Sequence, residues 1–150
     1  MIIGSGIQVG PGITICNDKL DRGARTKQVL VVYDNVAYYS GDVNPGTQVY
    51  PVLQAREAAL GFTTTLVSSY SALASVNLNQ YAHIWDIGYD SPLTSTVETQ
   101  YLGYLQNGGA IFMVGENIYF DNRDSTISQF MTSIGAGTVQ ENTGSGYYTS

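Results

Sequence analysis

The polar side chains best placed for chemistry fall at the ends of apolar runs. Asp34 follows the run QVLVVY at 28–33. Asp86 closes YAHIWD at 81–86, with Asp90 just beyond it. Ser68 and Ser69 follow a third run, and Glu116 and Asn117 follow AIFMVG at 110–115, with Arg123 close behind. Carboxylates converging from Asp34, Asp86, Asp90 and Glu116 could ligate a hard cation through their oxygens. Carboxylates at strand ends more often cap helices or anchor loops. Spacing alone supplies no coordination geometry, so neither a metal nor a cofactor is expected. Asp34, Asp86, Asp90, Glu116, Asn117 and Arg123 stand as the ligand-binding candidates.

Nucleophilic chemistry has few carriers. Cys16 is the only cysteine and His83 the only histidine. Cys16 lies in a polar stretch ahead of the first long apolar run, and His83 lies inside a run, where a buried structural role is expected. A sharp turn after a buried strand is where many α/β hydrolases carry a Ser or Cys nucleophile. At 115–117 that turn holds Glu116 instead. A Glu acts as base or nucleophile only with a partner, and the sequence offers none. No catalytic residue is therefore expected. The Glu116 carboxylate should bond backbone N–H groups of its turn or pair with Arg123.

These residues need a scaffold, and the pattern supplies one. Apolar runs predict strands at 28–33, 62–67, 82–87 and 110–114, with a fifth beginning at 138–140. Between them, Thr47 is a plausible N-cap for a helix presenting Val49, Val52, Leu53, Arg56 and Leu60, closed by Gly61. Residues 69–80 suggest one short helix. A further helix after 91–94 carries Val97, Tyr101, Tyr104 and Leu105 on one face and ends at Gly108-Gly109. Ile127, Phe130, Met131 and Ile134 repeat at i, i+3, i+4 and i+7 in the last helix. Strands alternating with helices imply βαβ crossovers and a parallel sheet.

Residues 1–15 are different. Gly4-Ser5-Gly6-Ile7-Gln8-Val9 is followed by Gly10-Pro11-Gly12-Ile13-Thr14-Ile15, a period of six. Alternation of Ile7 and Val9, then Ile13 and Ile15, reads as two short strands with one apolar face. With no pairing expected inside the segment, this arm should add to another chain or another copy. The glycines do not complete a G-x-G-x-x-G and precede the first strand of the domain, which argues against nucleotide binding. The division is an arm and linker at 1–26, a compact domain at 27–141, and a Gly/Ser/Tyr tail at 142–150 that leads into a partner or further polypeptide.

Composition narrows the partners. Of 150 residues, 43% are hydrophobic and only 12% charged, with a net charge of −6. Phosphate backbones need clustered cations, and the one cluster, Lys19 to Lys27, is diluted by Asp18 and Asp21, so no nucleic acid is expected. No apolar run approaches the ~20 residues of a membrane span, and the first residues lack the pattern of a secretory signal. Among the 12 tyrosines, Tyr38-Tyr39 and Tyr147-Tyr148 fall in expected loops and could stack on a glycan or a partner surface.

The segments YAHIWDIGYD at 81–90, YLQNGG at 104–109, FMVGEN at 112–117 and 123–130 together resemble the class I glutamine-amidotransferase-like superfamily, in particular its degenerate, non-catalytic members. The resemblance spans 27 to about 140 and implies a three-layer flavodoxin-like parallel sheet, to which the extended N-terminal β arm is added. No cysteine stands at the elbow, so activity is not implied. The Gly-Ile repeat resembles the starts of structural proteins of tailed phages. The expectation is a structural or adhesive virion component that meets other virion subunits or itself, with a host-surface glycan as a possible target. The alternatives are an extracellular carbohydrate- or ligand-binding module, or a hydrolase of the same fold.

Overall fold

The computed structural model describes residues 7–8, 14–15, 26–34, 44–88, 91–115 and 121–137. Four strands form a parallel sheet: β3 (Gln28–Val32), β4 (Thr63–Val67), β5 (His83–Asp86) and β6 (Ile111–Met113), in the order β4-β3-β5-β6. Each falls within a residue or two of its expected place. β3 is a near-continuous apolar run because it is central and covered on both sides: Val29, Leu30, Val31 and Val32 are all fully buried. β4 lies at an edge and alternates exposed Thr63 and Thr65 with less exposed Thr64 and Leu66.

The chain runs outward from β3 to β4, then crosses back to β5 and continues to β6. The direction of travel therefore reverses between β3 and β5, and the carboxyl ends of strands at such a switch point are where open α/β sheets bind ligands. The two faces can be read from β5. Ile84 and Asp86 point to one side, His83 and Trp85 to the other. Asp86 meets side chains from α2 (Tyr70–Leu73), α3 (Ser95–Gln106) and α4 (Asp121–Ser133), whereas Trp85 and His83 meet α1 (Tyr50–Ala59).

Local signals set the helix ends. α3 begins at Thr94, whose Oγ1 accepts from the Val97 N–H at 3.3 Å. It buries Val97, Tyr101 and Tyr104, as expected, and stops at Gly108, whose φ of +75° suits glycine. α1 departs from expectation. A wider turn, Pro45–Val49, precedes it, and the cap is Asn44, which accepts from the Thr47 N–H at 3.0 Å, so Thr47 is not the cap. Its inward arc is Leu53 and Glu57, while Val52 is 58% and Leu60 70% exposed and Arg56 faces solvent. The acidic residue turns inward because the sheet below offers two ring N–H donors. The single helix expected at 69–80 is two pieces, α2 and a 3₁₀ turn at Leu78–Gln80, started by Ser69 and Asn77 caps.

The main core lies between the sheet and α2, α3 and α4. It joins Leu30, Val32 and Ile84 to Leu73, Val97, Tyr101 and Phe130. Among the described residues, no helix is long and apolar enough to cross a membrane.

The arm corrects one expectation. β1 (Ile7–Gln8) pairs antiparallel with β2 (Thr14–Ile15), placing Ile7 opposite Ile15 and Gln8 opposite Thr14. The two strands thus partner each other. Val9, Ile13, the strand expected at 138–140 and the tail at 142–150 lie outside the described residues.

Candidate functional site

The carboxyl ends of β5 and β6 carry a buried polar cluster centred on Asp86. Asp86 is the last residue of a strand that is otherwise apolar on this face, and solvent reaches neither it nor Arg123. Arg123, early in α4, places Nη2 2.9 Å from Asp86 Oδ1. Tyr101, on the buried stripe of α3, donates to Oδ2 at 2.8 Å. Tyr70, in α2, donates to the same carboxylate at 3.1 Å, and the Gly88 N–H donates to Oδ1 at 3.1 Å.

Arg123 is equally committed. A guanidinium has five N–H donors, and here each meets an acceptor. Nε donates to the Val114 carbonyl at 2.8 Å, Nη1 to Tyr70 Oη at 2.7 Å and to the Ser91 carbonyl at 2.9 Å. Nη2 donates to Asp86 Oδ1 and, at 3.5 Å, to the Asp86 carbonyl. The cluster therefore ties together β5, Val114 just past β6, Gly88, Ser91, α2, α3 and α4. Gly88 lets the backbone close over it: a Cβ there would lie 2.5 Å from Arg123 Nη1.

Electrostatics keep the donors protonated. Burial, then the Asp86 carboxylate, pushes the Tyr70 and Tyr101 phenols well above their ordinary value. For Arg123, burial opposes the charge, but Asp86 and Tyr70 outweigh it and the pKa is raised. The result is a buried, charge-balanced set of donors and acceptors.

No protein-family model matches this sequence, and neither does any curated protein or solved structure. Function must be read from the geometry itself.

That geometry separates the sequence candidates. Asp86 and Arg123 come together. Arg123 takes Asp86 as a carboxylate partner; the expected anchoring of Glu116, on backbone N–H groups of its turn or on Arg123, falls outside the described residues. Asp34 sits two residues past β3, partly exposed, and among the described residues no hydrogen bond or ion pair joins it to the cluster. Asp90, Glu116 and Asn117 lie outside the described residues, as do Cys16, Tyr38-Tyr39 and Tyr147-Tyr148. Among the described residues, no three His, Cys, Asp or Glu side chains are grouped to hold a metal. Protein donors take both oxygens of Asp86, and solvent does not reach it.

A second polar cluster was not anticipated. On the opposite face of the sheet, Glu57 Oε1 accepts from Trp85 Nε1 at 2.8 Å and lies 2.9 Å from His83 Nε2. Glu57 is 5% exposed, and its Oε2 is buried with no hydrogen-bond partner among the described residues. Phe62 and Trp85 flank the His83 ring edge-on, at centroid distances of 5.4 and 6.3 Å. A carboxylate orienting a histidine is part of the triad arrangement, but among the described residues no Ser, Thr or Cys side chain bonds His83. The signal was present: His83 and Trp85 are two apart on a strand and so share a face, and both bring ring N–H donors.

Proposed function

We propose that this chain is a non-catalytic structural or adhesive component of a phage virion, built on a three-layer flavodoxin-like domain related to degenerate amidotransferase-like proteins. The strand order β4-β3-β5-β6, with α1 on one face and α2, α3 and α4 on the other, supports the fold part of this reading. One observation carries the functional part. The carboxyl ends of the strands, where an α/β enzyme presents reactive groups, are instead fastened by a saturated Asp86–Arg123–Tyr70–Tyr101 cluster. Such a cluster locks loops; it does not present a base or nucleophile to a substrate.

The arm supports assembly. The β1–β2 ribbon needs a partner surface, because a two-stranded ribbon alone is marginal in water. The low charge of the chain, 12%, suits close packing against other subunits. Light scattering on the full chain and on a chain lacking residues 2–15 tests this reading. The full chain should assemble into oligomers, and the shortened chain should stay folded but monomeric. A monomer in both cases would remove the support for an assembly role.

A further inference from the structure

The two edges of the described sheet are not alike. β6 is short, at three residues. β4 runs five residues in unbroken register with β3, from Thr63 opposite Gln28 to Val67 opposite Val32. The Thr63 N–H donates to the Lys27 carbonyl, and the Val67 carbonyl accepts from the Tyr33 N–H. In a parallel ladder alternate residues turn both backbone groups to the same neighbour, so Thr63, Thr65 and Val67 face β3. The N–H and C=O groups of Thr64 and Leu66 point outward, and no strand among the described residues pairs with them.

Edge strands normally carry a defence against further pairing: a lysine, a proline, a bulge or brevity. β4 has none of these. Its sequence is TTTLV, and no Asp, Glu, Lys or Arg stands between Glu57 and Asp86. Its register with β3 contains no bulge, and Thr63 and Thr65 are exposed. Lys27 comes no closer than the turn before the strand, its Nζ 3.6 Å from where a Cβ on Gly61 would lie. The other element short of partners is the ribbon. β1 and β2 bond each other and, among the described residues, form a sheet separate from the four-stranded one. A two-stranded ribbon of this kind is marginal alone.

We propose that the β4 edge receives the β1–β2 ribbon of a second copy by strand addition. The inference rests on the reading of the arm as an assembly element and names the surface that the arm meets. Main-chain hydrogen bonds at Thr64 and Leu66 supply what both elements lack: the edge gains a neighbour, and the ribbon gains further strands. The absence of charge on β4 bears on the choice of partner. The chain carries a net charge of −6, so its copies repel, and this edge brings no carboxylate to the contact. Ribbon and edge are different surfaces, so the contact is heterologous. The assembly closes as a ring, of which a reciprocal dimer is the smallest, or extends as a filament.

Full-length variants separate the ribbon from the edge that receives it. Thr64→Pro removes an outward N–H and leaves the ladder to β3 intact, since an edge strand tolerates proline where its N–H faces outward. Thr65→Lys, at an exposed position, adds the charge that natural edges carry and serves if the proline alters the circular dichroism spectrum. Gln8→Pro/Thr14→Pro breaks the ribbon. By light scattering the natural chain should be oligomeric, and the edge variant and the ribbon variant should each be monomeric alone. Mixed in equal amounts, these two variants should form a one-to-one complex, because one keeps a ribbon and the other keeps an edge. A mixture that stays monomeric overturns the proposal. An edge variant that assembles like the natural chain overturns it too, and a monomeric ribbon variant beside it would leave the arm's assembly role standing. Assembly kept by the ribbon variant and lost by the edge variant assigns β4 to pairing with β4 of a second copy, and also overturns it. A monomeric natural chain overturns both readings.

Discussion

Arg123 and Asp86 stand 37 residues apart in sequence and 2.9 Å apart in the fold, with neither side chain open to solvent. This pair joins the last described helix to the centre of the sheet. Its energetics are asymmetric. The intact pair contributes little net stability over an apolar substitute, but removing one partner leaves the other charge buried and alone.

Asp86→Ala and Arg123→Met should each destabilise the domain by about 3–5 kcal/mol. The double variant Asp86→Leu/Arg123→Met should recover part of that loss, because no buried charge remains. Urea unfolding followed by circular dichroism checks this. Single variants within about 0.5 kcal/mol of the natural chain, the range of ordinary surface changes, would show that the pair does not hold the fold.

The same cluster sets the alkaline limit. An unfolded tyrosine ionises near pH 10, whereas Tyr70 and Tyr101 are raised above that in the fold. A raised folded pKa means that the native state holds its proton longer than the unfolded state. Stability from these groups is then full below about pH 10 and declines as pH rises beyond it. Unfolding free energy measured across alkaline pH should fall steadily from about pH 10 upward. The slope should become shallower in Tyr101→Phe, despite its lower starting stability. An equal slope in that variant would exclude Tyr101 as a source.

On the other face, Glu57 offers a different test. Its Oε1 serves two ring donors while Oε2 has no partner among the described residues. Glu57→Gln keeps one acceptor and places a neutral amide where the lone oxygen lies, so it should cost less than about 1 kcal/mol. Glu57→Ala leaves the Trp85 and His83 donors without their acceptor and should cost about 2–3 kcal/mol. Thermal unfolding of both variants decides between a structural acceptor and a dispensable charge. Equal losses in the two variants would count against the acceptor role.

The parallel sheet was legible because buried parallel strands must be apolar on both sides, as 28–33 shows plainly, whereas 110–114 reads the same way but forms an edge strand with Phe112 exposed. The site was only half legible. Asp86 looked like a strand-end cap, loop anchor or ligand-binding acid because nothing near it in sequence says otherwise. Its partners come from α2, α3 and α4, and only tertiary packing aims them at one point. A clue existed in Tyr101, read as part of an apolar stripe. A tyrosine in a core position needs an acceptor for its hydroxyl, and Asp86 is an acid on an otherwise buried strand. The inward turn of Glu57 was hidden for a related reason. The apolar pattern of α1 favours Val52 and Leu60, and only the ring donors of His83 and Trp85 outweigh it. The arm was misjudged because pairing within a segment depends on a reversal that composition suggests without specifying.

The central claim is that the strand ends fasten the fold and carry out no reaction. The most direct measurement is turnover by the full chain on a panel of amide, ester and glycoside substrates, with Glu116→Gln run alongside. The account predicts rates equal to buffer alone for both proteins. Turnover by the natural chain that disappears in Glu116→Gln would contradict it and assign this domain to an enzyme.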